Sequence, residues 1–144
     1  MKKTSLILLL GVIIISCNVR RKDKVVDDAV QQMESAKLDT TSVQLIDSVY
    51  DFGSVAEGEK VTFNFRFKNN GNKPLVISNT SASCGCTVPE KPEKPILPGE
   101  TSFIKVVFNS QGKAGHNEKN IMVTANTNPS FPNLLLKGEV TPVK

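Results

Sequence analysis

Val61-Thr62-Phe63-Asn64-Phe65-Arg66-Phe67-Lys68 alternates apolar and polar residues at every step, and Asn69-Asn70-Gly71-Asn72 follows it at once. Successive side chains of a β-strand point to opposite faces. The run therefore reads as a strand with Val61, Phe63, Phe65 and Phe67 on a buried face. The Asn/Gly cluster reads as the turn that ends it, because both residue types accept positive φ.

The same texture extends in both directions. Upstream, Val43-Gln44-Leu45-Ile46-Asp47 and Tyr50-Asp51-Phe52-Gly53 are short β-type runs. Downstream, Leu75-Val76-Ile77 opens another strand. Ile104, Val106 and Phe108 share one face of the next, Ile121, Val123 and Ala125 mark a further one, and Leu134, Leu136 and Gly138 the last. About seven short strands between Val43 and Thr141, punctuated by Gly, Pro and Asn, predict an all-β chain folded as an immunoglobulin-like β-sandwich. The chain has seven Phe, one Tyr and no Trp. Phenylalanine is thus expected to dominate the core, with six of the seven in strands or their approaches, and the Cys…Trp…Cys pattern of antibody domains is absent.

The amino-terminal end has a different character. Met1-Lys2-Lys3 precedes an apolar run from Leu6 to Ile15, which stops at Ser16-Cys17. A basic start, an apolar stretch and a small residue before the cut have the anatomy of an export signal. The run falls short of the roughly 20 residues that a membrane-spanning helix needs. Ile14-Ile15-Ser16-Cys17 resembles the lipobox of bacterial lipoproteins. That resemblance implies cleavage before Cys17 and lipid on its thiol, with residues 1–16 as signal peptide. Two acyl chains hold a protein stably on a membrane where one does not.

Residues 17–42 form the expected tether. Arg20-Arg21-Lys22-Asp23-Lys24 is a basic cluster beside the membrane, read as a solvated spacer in preference to a headgroup-binding patch. Val25, Val26, Ala29, Val30, Met33 and Ala36 fall at helical spacing, so Val25 to Lys37 is expected to form a short amphipathic helix, near the length at which isolated helices are marginal. The sandwich then occupies residues 43–144. The formal charge is +4, and Lys2 and Lys3 of the leader carry half of it. No basic cluster is interleaved with aromatics, which speaks against nucleic acid as a partner.

Cys84-Gly85-Cys86 is the one motif that invites chemistry. With Cys17 lipidated, these are the two remaining thiols, in a compartment that is oxidising. Cysteines two apart can meet the Cα spacing of a disulfide, and glycine between them supplies backbone freedom. Reduced structural thiols, a soft metal such as Cu(I) and a redox couple are the other readings. A structural zinc site wants four ligands, and only Cys84, Cys86 and His116 are available as good ones, with His116 far along the chain. Hydrolytic chemistry has little to build on: one His, no Gly-x-Ser-x-Gly and no obvious carboxylate pair.

Tyr50-Asp51-Phe52-Gly53, Gly58, Asn69, Gly71, Pro74-Leu75, Ser83-Cys84-Gly85-Cys86-Thr87, Pro89, Pro98-Gly99-Glu100, Phe108, Gly112, Gly115, Asn126 and Gly138 together resemble a bacterial family of unknown function whose hallmark is a Ser-Cys-Gly-Cys-Thr turn. That family is similar to the Hydin and ASPM group of immunoglobulin-like domains and is frequent in lipoproteins. The resemblance covers about Tyr50 to Val140 and implies a fold and a location, not an activity. His116-Asn117 departs from the pattern, which carries an aromatic shortly after the glycine. The segment before Ile121 is expected to be loop.

The matched residues have structural readings as well. Pro98-Gly99 fits a type II turn, and Asp51 is placed to bond the backbone of its own turn. Thr87 to Pro98 carries Pro89, Pro92, Pro95 and Pro98. It reads as a rigid connector, with a recognition loop as the functional alternative.

The expectation at this point is a lipid-anchored, non-enzymatic binding or scaffolding domain with no cofactor. It would meet the membrane through Cys17 and an envelope protein through its loops or edges. Asn18 is not the aspartate associated with inner-membrane retention, so the outer membrane is favoured. The alternative is a copper-type metal-binding or thiol redox protein acting through Cys84 and Cys86.

Overall fold

The computed structural model describes residues 39–143, and the leader, Cys17 and the expected helix over Val25 to Lys37 lie outside those residues. All regular structure among the described residues is β, in eight strands: β1 (Val43–Leu45), β2 (Val49–Ala56), β3 (Lys60–Asn69), β4 (Ile77–Ala82), β5 (Thr87–Glu90), β6 (Thr101–Asn109), β7 (Gly115–Ala125) and β8 (Leu134–Thr141). They make two four-stranded sheets, β1-β3-β6-β5 and β2-β8-β7-β4. The expected immunoglobulin-like sandwich is present.

β3 and β6 form the long antiparallel centre of the first sheet, with Phe65 opposite Ile104 and Val61 opposite Phe108. In the second sheet, β7 pairs antiparallel with β8 from Gly115/Val140 to Ile121/Leu134, whereas β2 runs parallel to β8. The core between the sheets contains Phe65, Phe67, Leu75, Ile104, Val106, Phe108, Ile121, Leu134, Leu136 and Val140, each at most 1% exposed. Rings knit the layers: Tyr50 stacks on Phe63 at 3.8 Å between centroids and 7° between planes, and Phe63 meets Phe65 edge-on.

Three expectations of strand placement are revised. Thr87–Glu90 is strand β5, not the start of a connector. Pro89 is compatible with that because β5 is an edge strand, and its carbonyl turns away from β6 to accept the Thr80 hydroxyl at 3.2 Å. Leu75 lies outside β4, in an isolated bridge to Ile96 whose two backbone bonds are 2.8 and 2.9 Å. The segment before Ile121 is no loop, since β7 already begins at Gly115.

The phenylalanine count also misleads at one position. Phe103 is 47% exposed on the outer face of β6, while Phe131, in the β7–β8 connection, is buried edge-on against Phe67 at 5.3 Å. The turn expectations hold. Leu97 O accepts Glu100 N–H around Pro98 and Gly99, whose φ is +82°, and Gly53 N–H donates to Asp51 Oδ1 at 2.9 Å. No helix among the described residues is long and apolar enough to cross a membrane.

Candidate functional site

Ser83 to Thr87 is the corner at which the chain leaves one sheet for the other. Ser83 still belongs to the β4–β7 ladder: its N–H donates to Asn120 O at 3.0 Å and its hydroxyl accepts Asn120 N–H at 3.3 Å. Three residues later, Cys86 O accepts Asn109 N–H at 2.9 Å and the β5–β6 ladder has begun. Between them, Thr87 N–H donates to Cys84 O at 3.2 Å and closes a four-residue turn.

This turn places the two sulfurs side by side. Cys84 and Cys86 stand at disulfide distance, with Cα atoms 5.3 Å apart. Both are half-buried, and Cys86 packs against the core. The Thr87 hydroxyl is buried beneath them, 3.6 Å from Cys84 Sγ and 3.9 Å from Cys86 Sγ. Gly85 is exposed, its φ is not left-handed, and a Cβ there would meet nothing within 4 Å. The freedom expected of glycine at this position is therefore not used in this conformation.

His116 does not join the corner. It lies on the outer face of β7 with its ring nitrogens 3.8 Å from Glu118 and 3.7 Å from Glu139, its register partner on β8. Among the described residues, no group of three or more His, Cys, Asp and Glu side chains is arranged to hold a metal ion.

Most other matched polar residues bond the chain's own backbone. Fully buried Asn69 donates from Nδ2 to Lys73 O and Ile96 O, and its Oδ1 accepts the Thr41 hydroxyl and Gly71 N–H. A Cβ at Gly71 would overlap Thr41 and Ser42, so the glycine is there for close approach and not for positive φ. Asn126 Oδ1 accepts Val76 N–H at 2.7 Å and its Nδ2 donates to Asp39 O and Pro74 O. These amides satisfy backbone groups, most of them partly buried, at the end of the sandwich where the chain enters.

The outer face of the first sheet offers apolar surface. Val88 on β5 is 55% exposed and pairs with Val107 on β6. Phe103 lies four residues before Val107 on the same face of β6, with the Lys105–Glu90 ion pair between them at 3.1 Å. Arg66, the register partner of Phe103, is held by Asp47 through Nε–Oδ2 at 2.7 Å and Nη2–Oδ1 at 3.1 Å. That hydrogen-bonded pairing holds the Asp47 carboxyl below its usual range, with slight burial acting in the opposite direction.

A two-sheet sandwich with a strand-switch corner and side chains committed to turns defines an immunoglobulin-like domain. The chain belongs to the family described as "Protein of unknown function (DUF1573)", whose model matches residues 43–140. Its fold is similar to that of a protein of unknown function from Porphyromonas gingivalis W83, at 17% identity and a TM-score of 0.62, over 72% of this chain and 48% of that one. The chain thus spans about half the length of that relative. It is also similar to the ASH/PapD-like domain 7 of human CEP192, at 10% identity and a TM-score of 0.54, over 73% of this chain and 89% of that domain. The secreted serine protease VesC from Vibrio cholerae shares the fold over 80% of this chain but only 25% of its own, at 14% identity and a TM-score of 0.54. No curated protein matches the chain.

Proposed function

We propose that the chain is a non-enzymatic binding or scaffolding domain of the bacterial cell envelope, held on a membrane by lipid on Cys17, with the outer membrane favoured. Residues 1–16 are the signal peptide and residues 17–42 the tether in this reading. The observation that carries the binding role is the apolar stripe of Val88, Val107 and Phe103 on the outer face of the first sheet, with Val88 and Phe103 about half exposed. Aromatic and aliphatic side chains of this kind, set on either side of an ion pair already committed within the chain, are what interface cores are made of. The partner is a protein of the envelope.

In this reading Cys84 and Cys86 form a local clip. A second reading, a soft-metal or thiol redox site, is favoured by the two adjacent sulfurs above the Thr87 hydroxyl. Alkylation mass spectrometry on protein isolated from the envelope without reductant, with elemental analysis beside it, separates them. The binding reading expects both thiols blocked as one disulfide and no bound metal. About one equivalent of copper or zinc, held only while both cysteines are present, supports the second reading instead.

A further inference from the structure

β7 is partnered by β4 along only half its length. The β4–β7 register ends at Ala82/Ile121, and Ser83 exchanges its last bonds with Asn120 before the chain turns into the cysteine corner. From Gly115 to Lys119, β7 has β8 on one side and, among the described residues, no strand on the other. Backbone N–H and C=O groups of a regular strand alternate between its two sides. Asn120 points its pair toward β4, and β7 pairs with β8 here without a register shift, so Glu118 and His116 point theirs into the vacated side.

The other edges are guarded in recognisable ways. β1 has three residues, and β5 has four, including Pro89. β2 breaks its register between Asp51 and Ser54, at Gly53 with φ +69°. β4 is irregular between Ile77 and Asn79. Such devices blunt strand addition. The Gly115–Lys119 edge has neither a proline nor a register shift, and its one inward lysine, Lys119, lies with Nζ 5.7 Å over the Phe108 ring.

We infer that this edge is where two copies of the chain join, β7 against β7, antiparallel about a two-fold axis at Asn117. Charge complementarity selects both the occupant and the register. In each copy a transverse row runs Asp51, Lys137, Glu118 across β2, β8 and β7, and a second runs Glu139, His116 across β8 and β7. With Glu118 opposite the second copy's His116, the joined row reads Asp51, Lys137, Glu118, His116, Glu139, and acidic and basic groups alternate across the junction. The imidazole can donate to the facing carboxylate in either protonation state.

Sliding the copies so that His116 meets His116 takes the facing carboxylate away from each imidazole, and sliding them so that Glu118 meets Glu118 sets two carboxylates face to face. Like charges directly opposite destabilise a strand pair. The favoured register also brings the free backbone groups of Glu118 and His116 into the same hydrogen-bonded pair, and sets Lys119 against Gly115, which has no side chain to obstruct it. The cysteine corner of each copy bounds the paired segment.

The test uses the full chain in bacterial membranes. Two differently tagged copies are co-expressed, one with His116→Cys and the other with Glu118→Cys, and the membranes are oxidised with copper phenanthroline. Hydrogen-bonded partners have Cα atoms about 5.5 Å apart, within disulfide reach. The expected result is a cross-linked product carrying both tags, and none when either variant is expressed alone, because like positions lie diagonally across the axis. Both positions are exposed, so the fold tolerates the changes. Absence of a mixed product, or same-site products as abundant as the mixed one, overturns the inference. Sedimentation of the detergent-solubilised wild type adds an independent readout: a dimer that Glu118→Lys converts to monomer is expected, and a monomeric wild type or an unaffected dimer contradicts it.

Discussion

Phe52 on β2 occupies the space that a side chain at Gly138 on β8 would fill: a Cβ built at Gly138 would overlap the Phe52 ring. The missing methyl lets Phe52 fold over its parallel neighbour and reach Phe108 at 5.7 Å between centroids, on the opposite sheet. Gly53, at φ +69°, follows immediately and lies in the bulge where the parallel β2–β8 register shifts between Asp51 and Ser54. The Tyr50-Asp51-Phe52-Gly53 motif and Gly138 are thus two halves of one packing arrangement.

Gly138→Ala should accordingly displace Phe52 and cost about 1–3 kcal/mol, the range for overfilling a packed core. Gly85→Ala, where a Cβ meets open space and φ is not left-handed, should change stability by less than about 0.5 kcal/mol. Urea midpoints of the two variants check this, and equal losses would show that the Phe52–Gly138 contact carries no special weight.

Phe65 and Phe103 test the reading of the two faces of the first sheet. Phe65 is fully buried opposite Ile104, while Phe103 is the next residue's partner on the outer face. Phe65→Ala should cost about 3–5 kcal/mol by leaving a cavity. Phe103→Ala should leave denaturant stability within about 0.5 kcal/mol of wild type. A comparable loss at both positions would mean that Phe103 is core and not contact surface.

The Asp47–Arg66 pair gives a pH signature. Asp47 is held below its usual pKa, first by hydrogen bonds from the Arg66 side chain. A carboxyl whose folded pKa is depressed contributes stability above its unfolded pKa, near 4. That contribution is lost as pH falls through the lower, folded value. Stability of the wild type should therefore fall more steeply below about pH 4 than that of Asp47→Asn, and the two should run parallel above about pH 5. The difference is small, because the pair is solvent-facing. Urea melts across that range measure it, and parallel curves throughout would show that the pair does not stabilise the fold.

The alternation in Val61 to Lys68 was sufficient to place β3 and its buried face, because a central strand under a hydrophobic layer must keep period two. The same rule read correctly on β6, with Ile104, Val106 and Phe108 inward, already put Phe103 on the other side. Counting phenylalanines as core obscured that. β5 was hidden because it is four residues long and contains Pro89, and the proline signal says connector unless the edge position is known. The first half of β7 was hidden because its inward residue Asn117 is buried by hydrogen bonds to Lys113 O and Gly115 O and not by apolar packing, so no hydrophobic alternation marks it. The cysteine pair was legible as a close pair. Its role as the corner between sheets was not, since that depends on where β4 and β5 find their partners.

The binding reading rests on the outer face of the first sheet, and photo-cross-linking at that face tests it most directly. Benzoyl-phenylalanine is introduced at Phe103 in the full chain, and separately at Thr124, which is exposed on β7 of the other sheet. After irradiation of intact cells, position 103 should give a discrete adduct with another envelope protein, and that adduct should disappear when Val88→Asp is added. Absence of any adduct from position 103, or the same adducts from both positions, would contradict the account.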